Sequence, residues 1–157
     1  MRMIKRSALV ATPFLLVPAL LAGQATMKPE PHVVMTTDKL TWSPIQPPGF
    51  DAGAKIAVLY GDPNATSGNY VIRLEFPDDY KFPSHWHPNA ESLTVISGEF
   101  FLGMGATPDD SKLVSYKPGT FLFLPAKNVH FGKVDGTTVI QLHGQAPFQI
   151  ELATKKP

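Results

Sequence analysis

From Lys55 onward, short apolar runs alternate with clusters of turn-forming residues. Tyr70–Phe76 shows the pattern most cleanly. Ile72, Leu74 and Phe76 fall on one face and Val71, Arg73 and Glu75 on the other, as a strand with one buried side requires. Lys55–Tyr60 precedes it, and Ser92–Ile96, Glu99–Met104, Lys112–Tyr116, Thr120–Leu124, Thr137–Leu142 and Phe148–Leu152 follow. The separators include Gly61-Asp62-Pro63-Asn64, Pro77-Asp78-Asp79, Ser97-Gly98, Lys117-Pro118-Gly119 and Asp135-Gly136, all of which favour turns. No stretch longer than about ten residues keeps a 3.6-residue period. The pattern predicts an all-β single domain of the sandwich, barrel or jelly-roll type.

The N-terminal part reads differently. Arg2, Lys5 and Arg6 precede an apolar run from Ala8 to Ala22, and Gly23-Gln24-Ala25 supplies small residues for cleavage. That order predicts a secretory signal peptide over residues 1–25, and hence a bacterial periplasmic or secreted protein. The rival is a retained membrane anchor. The run falls short of the roughly 20 residues a span needs, and Pro13 and Pro18 interrupt it. Residues 26–53 read as a Pro-containing tether with an edge strand, 54–152 as the domain and 153–157 as a polar tail.

Composition narrows the function classes. The 157 residues include 16 Pro and 12 Gly, with 43% hydrophobic and 17% charged residues, so the chain can bury a core and disfavours long helices and coiled coils. The formal charge of +1 includes Arg2, Lys5 and Arg6; without that leader it becomes −2, and Arg73 is the one remaining arginine. Nucleic-acid binding needs clustered Lys and Arg and is excluded on that ground. Zero cysteines exclude disulfides, thiolate metal ligands and Cys nucleophiles.

The stretch with chemistry is His85-Trp86-His87-Pro88-Asn89-Ala90-Glu91. Two histidines at a spacing of two point to the same side of an extended strand. Glu91 keeps that parity if extension resumes after Pro88. Imidazole and carboxylate suit a divalent first-row transition metal; a hydrogen-bonded surface pair is the plainer reading of the histidines alone. Glu91 is then followed by Gly98, giving H-x-H-x3-E-x6-G, and Gly119, Pro125 and His130 give G-x5-P-x4-H.

These two patterns resemble the two-motif signature of the cupin superfamily, over roughly Ala54 to Leu152. The resemblance implies a single-domain jelly-roll barrel, and it implies that His85, His87, Glu91 and His130 ligate one divalent ion (Fe, Mn, Ni, Cu, Co or Zn) inside it. Two positions depart from the pattern. Lys127 stands where a glycine is usual, which puts a positive-φ turn in doubt, and Val134 stands where an asparagine is usual. Lys55–Leu59 with Gly61-Asp62-Pro63, Phe82–Pro88 and Val139–Gly144 are also similar to small exported bacterial cupins. Similar domains occur in metal-sensing anti-sigma factors. By the same resemblance, two copies pair through edge strands as a homodimer.

An ion held by these four groups keeps one or two coordination positions for water, O2 or a small-molecule substrate, as catalysis requires. Proton transfer would need a further titratable group nearby, and the candidates are Gln141, His143, Tyr80 and Glu99. Gln141 and His143 share a strand face, which either looks into the barrel or faces outward with Ile140 and Leu142 inside. Tyr80 sits in a loop, and Glu99 follows Gly98 at a turn. The many phenylalanines are expected mostly in the core, with Phe121 and Phe123 on one common face. The function expected is a metal-dependent, oxygenase-like enzyme acting on a small molecule, without a membrane partner once the leader is removed. The alternative is a non-catalytic metal- or ligand-binding and sensing module.

Overall fold

The computed structural model describes residues 32–154, so the leader expected over residues 1–25 and the end of the polar tail lie outside the described residues. Nine strands follow one another: β1 (Ser43–Pro44), β2 (Lys55–Tyr60), β3 (Asn69–Phe76), β4 (Lys81–Trp86), β5 (Glu91–Met104), β6 (Val114–Tyr116), β7 (Phe121–Leu124), β8 (His130–Gln145) and β9 (Glu151–Leu152). Among the described residues there is no α-helix, and the helical turns are short 3-10 turns at Thr37–Lys39 and Asp110–Lys112. Every strand pair is antiparallel. The order runs β1-β2-β3-β8-β4-β9, and β5 pairs with β6, β7 and β8. The result is a jelly-roll barrel.

Two expected turns are not chain reversals. Ser97-Gly98 and Asp135-Gly136 lie inside the long strands β5 and β8, where the register between them shifts. Gly98 has φ 78° and Gly136 φ 67°, so each supplies a bulge that bends its strand. Beyond the bend each strand joins different partners. Residues 91–97 of β5 pair with β7 and the end of β8, while residues 99–104 pair with β6 and the start of β8. The physical reason for the misreading is that a Gly-containing pair fits a bulge as well as a turn, and the partner strand decides between them.

The alternation in β3 places Tyr70, Ile72, Leu74 and Phe76 inside, as Val71, Arg73 and Glu75 line the outer face at partial exposure. Ile72, Val95, Val134 and Thr138 are the most deeply buried side chains. Phe121 and Phe123 do share one face, and it is the outer one, 63% and 59% exposed, because Leu122 and Leu124 take the inward face of β7. The edge strand of the tether falls at Ser43–Pro44, paired with β2. The Pro-rich stretch after it is a loop, as expected, and it buries Phe50 against the core.

Candidate metal centre

Strands β4 and β8 carry the histidines. His85 and His130 are direct partners across that pair, and His87 follows the last residue of β4. Their ring centroids lie 4.2 Å (His85–His130), 5.1 Å (His85–His87) and 5.3 Å (His87–His130) apart. One ligand atom from each falls within 4.8 Å of the others. All three residues are buried.

Each imidazole is fixed in one tautomer by a backbone carbonyl. Nδ1 of His85 lies 2.7 Å from the Pro83 oxygen, Nδ1 of His87 2.7 Å from the Gln149 oxygen, and Nδ1 of His130 2.9 Å from the Asn128 oxygen. A carbonyl only accepts, so each Nδ1 carries the hydrogen and donates it, leaving the Nε2 lone pair free in the neutral ring. Two of these carbonyls belong to the residue two positions earlier. The third, from Gln149, arrives from the far end of the chain and could not be anticipated from a side-chain pattern.

The electrostatics keep the rings neutral. Burial pushes the His85 pKa well below its ordinary value, helped by the neighbouring His130 and His87. Burial, followed by His130, lowers His87 to about 4, and burial lowers His130. Neutral imidazoles with free lone pairs are the state a metal ion requires.

Glu91 opens β5 beside this triad. Burial pushes its carboxyl up to about 8. Its Oε1 is buried with no hydrogen-bond partner, 3.3 Å from Nδ1 of His87. That approach is no ion pair, because the His87 N–H is committed to Gln149 and both groups are neutral near pH 7. The cluster within 4.8 Å consists of the three histidines alone, so the carboxylate stands next to it. An unsatisfied buried carboxyl oxygen beside three neutral, pre-oriented imidazoles is costly without a cation. The donor set therefore fits a divalent ion.

Lys127, the departure from the usual glycine, adopts φ 62°, so the left-handed turn is kept without the glycine. Its amide donates to the His87 carbonyl at 2.8 Å, tying the β7–β8 connection to the second histidine.

A cavity of about 70 Å³ adjoins the histidines and Glu91. Its walls are otherwise apolar apart from Tyr80, with Phe50, Leu74, Phe100, Leu142 and Phe148 among them. Tyr80 thus reaches the cavity, but its hydroxyl donates to the Asp51 carbonyl at 2.7 Å, and burial followed by Asp51 raises its pKa. Gln141 and His143 occupy the outward face of β8, with Ile140 and Leu142 inside. There Gln141 accepts from Arg73 and contacts His143 at 3.0 Å. Glu99 is absent from the cavity wall; it pairs with Lys117 and Ser115 at the surface. Sequence reasoning missed Tyr70. Its pKa is raised by burial and then by the charge of Glu91, and its ring packs edge-on against Phe148 at 5.9 Å.

A jelly-roll barrel with a buried histidine triad placed to hold a metal ion defines a cupin. The chain belongs to the family of ChrR cupin-like domains, which it matches over residues 30–149. It is similar in structure to the polyketide cyclase RemF from Streptomyces resistomycificus, with a TM-score of 0.60 at 19% identity over 80% of this chain and 85% of that one. A cupin-2 domain from Rhodospirillum rubrum gives 0.57 at 12% identity over 80% and 82%. An RmlC-like cupin from Shewanella frigidimarina gives 0.54 at 14% over 74% and 91%. These likenesses show the fold. No curated protein sequence matches the chain.

Proposed function

We propose that this cupin holds one divalent first-row transition metal ion through His85, His87, His130 and Glu91 and presents it to a small molecule in the apolar cavity. The observation that carries this reading is the trio of Nδ1–H donors spent on backbone carbonyls, which leaves three neutral imidazoles with free Nε2 lone pairs in one place. Glu91 supplies the negative charge that offsets part of the ion's, and its carboxylate, on the same cavity wall as the three histidines, is the natural fourth donor. Bound there, a metal supplies Lewis acidity and, if redox-active, a route to O2 chemistry. The apolar walls select a compact, largely apolar molecule, since the cavity is about 70 Å³. The signal-like N-terminus supports an exported protein acting outside the cytoplasm.

Conversion of that molecule by an oxygenase-like reaction is one use of such a site. Retention or sensing is the other, and a specific observation favours it: beyond the metal-binding set, the one titratable group on the cavity wall, Tyr80, already donates to Asp51. A reaction needing a protein acid or base would have none free.

Elemental analysis of the protein exported through its own leader tests the metal. About one equivalent is expected, lost in His87→Ala and Glu91→Ala; a wild type that stays metal-free after reconstitution overturns the proposal. Oxygen uptake by the loaded protein with small diphenols then separates conversion from retention.

A further inference from the structure

Three inward positions stand side by side across three strands. Tyr70 on β3 is the register partner of Gly144 on β8, and Gly144 is the partner of Glu91 on β5. The middle position has no side chain. A Cβ on Gly144 would lie 2.4 Å from Tyr70 Oη and 2.7 Å from Cζ, so the hydroxyl end of the phenol occupies the space over the glycine. Neighbouring strands are about 4.8 Å apart. The hydroxyl has therefore crossed one strand spacing and has one left to the strand that bears Glu91. Phe148 closes the other side, edge-on to Tyr70 and stacked on His87 at 5.8 Å with 12° between the planes.

Glu91 is the group in need of a donor, since its Oε1 is buried without a partner. Tyr80, the phenol on the cavity wall, is already committed to Asp51. A carboxylate that ligates through one oxygen still has lone pairs to satisfy, and a donor to them fixes its orientation.

We propose that Tyr70 is the positioning residue for Glu91: its hydroxyl, seated over Gly144, donates to the carboxylate and fixes which oxygen is turned toward the histidine triad. The proposal rests on the reading of Glu91 as a metal ligand. It also assigns Gly144 a purpose, because any side chain there would displace the phenol.

Competition between the full exported protein and a chelator for Co(II) tests it, with the visible Co(II) spectrum as a second readout. Tyr70→Phe keeps the ring and removes the donor. About tenfold weaker binding and an altered spectrum are expected, with the thermal midpoint of the metal-free protein unchanged. In a Glu91→Ala background, Tyr70→Phe should cost nothing further. Gly144→Ala should reproduce the loss while keeping the hydroxyl; if that variant does not fold, the Tyr70→Phe comparison decides. Wild-type affinity in Tyr70→Phe overturns the proposal, as does an equal loss with Glu91 absent, which would mark a packing effect. Failure of the underlying reading looks different: wild-type protein binds no Co(II), or Glu91→Ala binds it undiminished. Either result removes the proposal as well.

Discussion

The backbone amide of Lys127 donates to the carbonyl of His87 at 2.8 Å, from a left-handed conformation with φ 62°. A lysine thus holds a conformation that costs an L-residue on the order of 1–2 kcal/mol. The hydrogen bond and the turn it closes over-determine the backbone there. Lys127→Gly removes the strain but makes the unfolded chain more flexible. The expected net effect is a stabilisation of about 0.5–1 kcal/mol, measured by denaturant unfolding of the metal-free protein, with metal affinity unchanged.

The buried site makes stability pH-dependent in both directions. The histidines are lowered from 6.5, His87 to about 4, so the unfolded chain takes up protons below 6.5 that the folded chain refuses. Their contribution is present above the unfolded value and is lost as pH falls. Glu91 is raised from 4.5 to about 8, so the folded chain keeps a proton that the unfolded chain releases, and stability falls as pH rises from 4.5 toward 8. Three histidines outweigh one carboxyl in the acidic range, so metal-free protein should be most stable at about pH 6.5–7. Saturating metal should abolish the alkaline decline, because the bound carboxylate is then ionised in the folded state. Unfolding midpoints at pH 5, 6, 7 and 8 with and without metal check this; an alkaline decline that persists with metal would contradict it.

Gly98 is the bend that the barrel cannot replace. Its φ is 78°, and a Cβ would lie 2.2 Å from Thr138 Oγ1 and 2.7 Å from Thr138 Cα. Gly98→Ala therefore combines backbone strain with a clash against a fully buried neighbour. A loss of about 3 kcal/mol or more is expected, read as a lowered unfolding midpoint. By contrast Gly119→Ala, at φ 89° with open space around it, should show the strain alone.

His87 is oriented by the backbone of Gln149, not by its side chain. Gln149→Ala should leave metal content and affinity unchanged. The same outcome is expected for Glu99→Ala and His143→Ala, since neither side chain lines the cavity. Loss of metal in any of the three, measured by elemental analysis, would place a ligand outside the interior set.

Legibility followed the range of each signal. The alternation in Tyr70–Phe76 is local, and both its faces emerged as read. The spacings of the two motifs also sufficed to point to the three histidines that the fold gathers. Position-specific packing was less legible. Gly98 and Gly136 read as reversals because bulge and turn use the same residues, and only the pairing of β5 with β8 tells them apart. Phe121 and Phe123 were legible as sharing one face, but nothing local says whether that face or the one bearing Leu122 and Leu124 turns inward. The carbonyl of Gln149 and the slot over Gly144 are properties of backbone and of missing atoms, which no side-chain pattern announces.

The long-range pairing that closes the site has a consequence for biogenesis. His85 is paired with His130 on the neighbouring strand, 45 residues further along, and His87 is oriented by a carbonyl 62 residues further along. Contacts of such sequence separation form late, after loop closure has been paid for. A chain still emerging, with Gln149 not yet in place, offers a His87 imidazole whose tautomer is not fixed. Metal choice therefore belongs to the completed barrel, and the compartment in which folding finishes decides which ions compete for it.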